Sequence, residues 1–169
     1  MFMNKIILMI GLTFPSVMGV STPDPLPEMP AAIEEPAFTD EDVDCLSRNI
    51  YFEASGESLE GKIWAGFVPK NRADDGKFPN TICEVIHQKN RGVCQFSWVC
   101  QRKNHVPILR NPLDHQVWEE SRWVARGILS GEIQDPTGGA LYYHTDKVNP
   151  VWNRKMQQTG KVGTHRFFK

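Results

Sequence analysis

Apolar positions recur at helical spacing in three stretches of this chain. In the first, Leu46, Asn49, Ile50 and Glu53 fall on one face. Thr39 is a suitable N-cap for it, and Asp40, Glu41 and Asp42 suit the positive end of a helix. Gly56 then predicts a stop. Ser58 opens a second helix with Ile63, Trp64 and Phe67 as core candidates. Pro69 lies inside that run; it lacks an N–H and predicts a kink, or an end near Val68. The third stretch runs from Leu113 to Leu129, with Val117, Trp118, Ser121, Val124, Ala125 and Ile128 on the buried side, and Ser130-Gly131 closes it.

The intervening segments are shorter. Phe78-Pro79-Asn80-Thr81 reads as a turn, with Thr81 capping a short helix through His87. Gly92 to Asn111 reads as loop with a short strand. Asp135-Pro136-Thr137-Gly138-Gly139 is a strong turn, followed by a short strand over Ala140 to Tyr143. Gly160, Gly163 and the Phe167-Phe168 end read as irregular. No internal repeat is present. The expected fold is mainly α (α+β), with short β elements and long loops over residues 39–169. Long loops in a compact domain often line a site.

Composition adds compartment and partners. At 169 residues and 40% hydrophobic, the chain suits one domain plus appendages. A net charge of −1 gives no global argument for nucleic acid or a membrane surface. The charge is uneven: acids without Lys or Arg from Ser21 to Ser47, and bases without acids after Asp146. Solvated faces account for this; a basic end suited to a polyanionic wall is the sharper reading. Lys5, the apolar run Ile6 to Phe14 and Val17-Met18-Gly19 predict a secretory signal over residues 1–19, cleaved after Gly19. The run is short and broken by Gly11, so no membrane span is expected once it is removed; an uncleaved anchor is the competing outcome. Pro23, Pro25, Pro27, Pro30 and Pro36 mark residues 20–38 as an acidic, Pro-rich linker. In an exported chain, Cys45, Cys83, Cys94 and Cys100 suggest two disulfides. Of three possible pairings, Cys45–Cys83 with Cys94–Cys100 is favoured, because the second pair closes a short loop. Zinc is the competitor, but no Cys-x-x-Cys occurs.

The chemistry centres on Glu53. It lies on the apolar side of the first helix, just before a turn, and a carboxyl held against apolar neighbours keeps its proton near neutrality, as a general acid must. The alternative is that Glu53 pairs with Arg72 or caps a loop.

The run Asn49-Ile50-Tyr51-Phe52-Glu53-Ala54-Ser55-Gly56-Glu57-Ser58-Leu59-Glu60-Gly61 resembles the SleB-type cell wall hydrolases, the spore-cortex-lytic enzyme family. So do Asn71-Arg72, Phe78-Pro79 with Thr81-Ile82-Cys83, Cys94-Gln95-Phe96-Ser97-Trp98, Asp135 to Ala140, Tyr143-His144, and Gly163-Thr164-His165-Arg166-Phe167. The resemblance extends from Cys45 to the C-terminus. It implies a lysozyme-like catalytic domain acting on peptidoglycan, with Glu53 as catalytic acid. Ser55 stands where the family commonly has Arg, Trp64 where a small residue is usual, and Pro69 interrupts the helix before Asn71-Arg72.

With that implication, other residues take candidate roles. Glycoside hydrolysis ordinarily needs a second carboxylate, whereas a lytic transglycosylase works with one. Glu57 is either that second group or a loop-stabilising ion-pair partner. Gln95, Phe96 and Ser97, between two cysteines, offer an amide, a ring and a hydroxyl to an N-acetyl sugar; Phe96 and Trp98 as core is the competing reading. Tyr143 and His144 bind sugar hydroxyls or orient Glu53, unless a tyrosine is buried and the histidine satisfied by backbone. Trp152 either stacks on sugar or anchors a loop. His87, His105, His115, His144 and His165 invite zinc, but no His-Glu-x-x-His occurs. The reading is thus an exported, monomeric, metal- and cofactor-free enzyme of the periplasm or cell envelope. It cleaves the MurNAc-GlcNAc bond of peptidoglycan glycan strands. An N-acetylmuramoyl-L-alanine amidase, a non-catalytic peptidoglycan-binding module and a disulfide-stapled structural envelope protein are the rivals.

Overall fold

A computed structural model describes residues 38–169. The expected signal and nearly all of the expected linker lie outside the described residues. Helix α1 (Asp40–Ala54) starts where its sequence says it should: the Thr39 hydroxyl accepts the Asp42 N–H, and the Asp42 carboxylate accepts the Thr39 N–H. Its face of Leu46, Asn49 and Ile50 is fully buried.

Helix α2 (Leu59–Asp74) is capped by Ser58, which accepts the Gly61 N–H at 3.2 Å. It does not end near Val68; Pro69 sits inside it, fully buried. The lost backbone bond is tolerated because the turn beyond Pro69 is fastened by side-chain bonds from Asn71 and Arg72 to residues 135–141. Of the predicted core residues, Phe67 is buried, whereas Ile63 and Trp64 are half-buried.

Helix α3 (Ile82–His87) follows its Thr81 cap. A hairpin of β1 (Lys89–Asn90) and β2 (Val93–Cys94) leads to α4 (Ser97–Gln101), a short helix where the sequence predicted loop. Five residues are too few to show helical periodicity, and α4 has no side-chain cap. Helix α5 (Pro112–Leu129) is capped by Asn111 and packs on α1 and α2. Leu46, Ile50, Phe67, Val85, Ile86, Val124 and Ile128 form the main core. At Gly66 a Cβ would meet Ile128 Cδ1 at 2.8 Å and Ile50 Cδ1 at 2.9 Å, so α2 passes its neighbours backbone-close.

The C-terminal part corrects the expectation of irregular chain. Strands β3 (Tyr142–Thr145), β4 (Gln158–Val162) and β5 (His165–Phe168) form an antiparallel sheet in the order β3-β5-β4. The predicted strand over Ala140–Tyr143 is shifted two residues later. Four-residue strands give too little alternation to read, and β5 lies in the middle with His165, Phe167 and Phe168 all buried. Phe167 joins Val68 and Ala140 in a second small core, with Trp64 at its edge, ring centroids 5.0 Å apart. Both favoured disulfides are present: Cys45–Cys83 joins α1 to α3, and Cys94–Cys100 joins β2 to α4.

Candidate active site

Glu53 sits on the last turn of α1, half-buried. Its Oε2 accepts a hydrogen bond from the Tyr143 hydroxyl at 3.1 Å. Burial raises the Glu53 carboxyl above the ordinary glutamate value, and the Tyr143 bond opposes this more weakly. Burial, then the charge and hydrogen bond of Glu53, push the Tyr143 phenol well up, with Arg72 pulling the other way. Tyr143 therefore remains the donor across the range in which Glu53 titrates. With Oε2 engaged, Oε1 is left to carry the acid's proton.

The two residues come from distant parts of the chain, and α2 sets their meeting. Asn71 Nδ2 lies 3.1 Å from Asp135 Oδ2, 3.2 Å from Thr137 Oγ1 and 3.2 Å from the Ala140 carbonyl. Asp135 also closes its own turn, accepting the Thr137 N–H at 2.7 Å and the Gly139 N–H at 3.0 Å. One residue on, Arg72 Nε donates to the Leu141 carbonyl at 2.7 Å. Its guanidinium lies 5.3 Å from the Phe78 ring centroid, 5.4 Å from Phe96 and 5.3 Å from Tyr142. Arg72 is thus held by a carbonyl and three rings and makes no ion pair with Glu53, against the reading that it neutralises the acid.

Glu57 faces elsewhere. Its Oε1 accepts the Thr164 hydroxyl at 2.6 Å, and His165 Nδ1 lies 3.3 Å away, off the line of a hydrogen bond. Burial lowers the His165 pKa, with Glu57 opposing. Between β4 and β5, Gly163 has φ 54°, and any Cβ there would run into the Glu57 carboxylate. Glu57 therefore fastens the β4–β5 turn to the start of α2.

The other candidates separate. Strand alternation puts His144 on the opposite face of β3 from Tyr143. It is buried, with Nδ1 2.9 Å from the Thr145 carbonyl, Nε2 3.1 Å from Asn153 Nδ2, and its ring stacked on Phe168. This corrects the expectation that it orients Glu53. Phe96 is 3% exposed beneath Arg72, so it offers no ring face to a sugar. Trp98 is likewise core, donating to Asn49 Oδ1 at 3.0 Å. Gln95 is half-buried and Ser97 exposed at the start of α4; neither bonds Glu53 or Tyr143 through its side chain. Trp152 is a loop anchor, packed on Tyr142, His144 and Phe168. The sequence offered Arg72 only as an ion-pair partner of Glu53 and gave Asn71 no role beyond the resemblance; the fold alone connects both to the turn they hold.

Beside Glu53 the surface is concave. A cavity of about 300 Å³ takes in Phe52, Ser55 and Gly56, and a second of about 310 Å³ shares Tyr51, Phe52, Arg102 and Asp114 with it. Glu53 itself lines neither cavity; its neighbours Phe52, before it, and Ser55 and Gly56, after it, do.

A sequence profile described as Cell Wall Hydrolase matches residues 56–168, two-thirds of the chain. The chain belongs to the cell wall hydrolase family. The matched span begins just after Glu53, so the profile itself does not include the acid. The chain is 29% identical over 135 residues to a spore cortex-lytic enzyme of Oceanobacillus iheyensis, covering 78% of this chain and 43% of that protein. It is 28% identical over 133 residues to a spore cortex-lytic enzyme of Bacillus subtilis, covering 77% and 38%. It therefore spans less than half the length of these relatives. The fold is similar to the catalytic domain of the germination-specific lytic transglycosylase SleB from Bacillus anthracis, with TM-score 0.59, 24% identity, and 80% of this chain and 99% of that chain covered. The catalytic domain of Bacillus cereus SleB gives TM-score 0.57 at 24% identity over 80% and 94%.

Proposed function

We infer that this family member is an exported peptidoglycan glycosidase that cleaves the MurNAc-GlcNAc bond as a lytic transglycosylase, with Glu53 as the single acid and base. One observation carries this: a half-buried carboxyl, raised by burial and oriented by the hydroxyl of a phenol that stays protonated. Glu53 gives its proton to the leaving glycosidic oxygen as the bond to the muramoyl C1 breaks. The carboxylate that remains is stabilised by the Tyr143 hydroxyl. It then takes the proton of the muramoyl O6 hydroxyl as that oxygen bonds to C1, closing an anhydro ring without water. Glu57, engaged by Thr164, supports this one-carboxylate route over one needing a second carboxylate.

The names of the relatives and structural neighbours, cortex-lytic enzyme and lytic transglycosylase, agree with the reading. Cell envelope localisation and a monomeric state belong to the same proposal. The test is mass spectrometry of fragments released from sacculi by the pure protein. Anhydro-muropeptides are expected; free stem peptides would indicate an amidase, and reducing muramic ends a hydrolase.

A further inference from the structure

The groove lined by Phe52, Ser55 and Gly56 at the end of α1 carries two arginines in a specific arrangement. Trp98 is buried, Phe52 packs on it with ring centroids 4.7 Å apart, and the Arg102 guanidinium caps Phe52 at 4.4 Å from its centroid. Arg102 is the C-cap residue of α4, two positions after the Cys94–Cys100 disulfide, and its N–H bonds the Trp98 carbonyl at 3.0 Å. The stack runs from the core to the rim on the helical turn that bears Glu53. A guanidinium lying on an aromatic face keeps its N–H donors for an in-plane partner.

Arg110 lines the same groove. Neither arginine makes an ion pair with an acid among the described residues. Asp114 is the one acid on this wall, and its Oδ2 is taken by the Arg110 backbone N–H at 2.9 Å. Tyr51 adds a phenol to the same lining as Arg102 and Arg110. Ser55 puts a short hydroxyl side chain into the lining.

We propose that this groove is a subsite for the carboxylate-bearing lactyl substituent of the muramoyl sugar, bound in the plane of the Arg102 guanidinium with Arg110 as second cation. The inference rests on the peptidoglycan reading above and adds to it a reason for choosing muramoyl over neutral sugars. Each muramoyl unit carries a lactyl ether whose carboxyl is free or amide-linked to a peptide with carboxylates of its own. A neutral N-acetylglucosamine polymer has neither.

The test uses the full chain and four glycan preparations: peptide-free strands with free lactyl carboxylates, the same strands methylamidated, peptide-bearing strands, and peptide-bearing strands with amidated carboxylates. The wild type is expected to show a KM about tenfold lower on a free-carboxylate form than on its amidated partner. In Arg102→Met with Arg110→Met that preference falls to about one, the loss lying mainly in KM. The pair of preparations that shows the preference identifies the lactyl or the peptide carboxylate. Sedimentation of the strands with Glu53→Gln protein, with and without the two Met changes, repeats the comparison without turnover. A double variant that keeps the tenfold preference, or a wild type that has none on either pair, overturns the subsite while leaving the glycosidase reading standing. A wild type that neither binds nor cuts any strand overturns both.

Discussion

Glu53 and Tyr143 meet in one hydrogen bond but are delivered by unlike halves of the molecule. The acid rides on a helix whose limits are written locally, from the Thr39 capping box to the Ser58 cap of its successor. The phenol rides on a four-residue strand whose place is set by residues about 70 positions away in the chain, Asn71 and Arg72. In the proposed mechanism one half supplies the proton and the other supplies aim. A carboxyl can thus be secured by local sequence while its orienting partner depends on tertiary fastening.

Glu53→Gln tests the acid half and has the largest expected effect. Turnover of sacculi should fall about 10²–10⁴-fold with the fold intact. Stability gives a second readout. The folded-state pKa of Glu53 is raised, so wild-type stability is full below the unfolded carboxylate value and is lost as pH rises through the folded value. Gln does not ionise. The variant should therefore gain Tm relative to wild type as pH rises through that window and gain nothing in acid; thermal melts at a series of pH values check this.

Removing the staple beneath the acid ranks next. Cys45→Ala with Cys83→Ala should cost about 4 kcal/mol by urea melts, since the cysteines are 38 positions apart and the closed loop is long. The kcat of the surviving folded fraction should be kept, because the staple joins α1 to α3 and touches neither Glu53 nor Tyr143.

Asn71→Ala attacks the fastening of the other half. It leaves the Ala140 carbonyl without the Asn71 donor and removes the ties to Asp135 and Thr137, at about 2 kcal/mol of stability. Here kcat should fall together with stability, unlike the disulfide variant. If kcat is kept, the aim of Tyr143 does not depend on α2.

Tyr143→Phe is the mildest and the sharpest. The hydroxyl lowers the Glu53 pKa, so its loss should shift the alkaline limb of the rate profile upward, with kcat reduced about tenfold. An alkaline limb that moves down would contradict the assigned donor.

The legibility of the sequence follows the same division. Helices α1, α2, α3 and α5 were readable because caps and apolar spacing are local and repeat over several turns. Both disulfide pairings were readable, because Cys94–Cys100 closes a short loop and leaves Cys45 for Cys83. Glu53 was legible as an acid on an apolar face. The β3-β5-β4 sheet was not, because its strands are short and β5 hides nearly all its side chains. Tyr143 and His144 looked equivalent as neighbours, and only the strand they share sends one toward the acid and the other into an aromatic stack. Glu57, beyond Gly56, read equally as a second carboxylate or a loop-stabilising group, and only the fold, which sets Thr164 on it, favours the second.

The peg made by Asn71 and Arg72 has an evolutionary consequence. Because it sits on α2, the peg makes no hydrogen bond to residues 102–111, where Arg102 and Arg110 lie. On the proposed reading, charge changes at Arg102 and Arg110 would retune which wall polymer is gripped while the placing of Tyr143 is kept. Diversity among descendants of such a scaffold should therefore accumulate on the gripping side first.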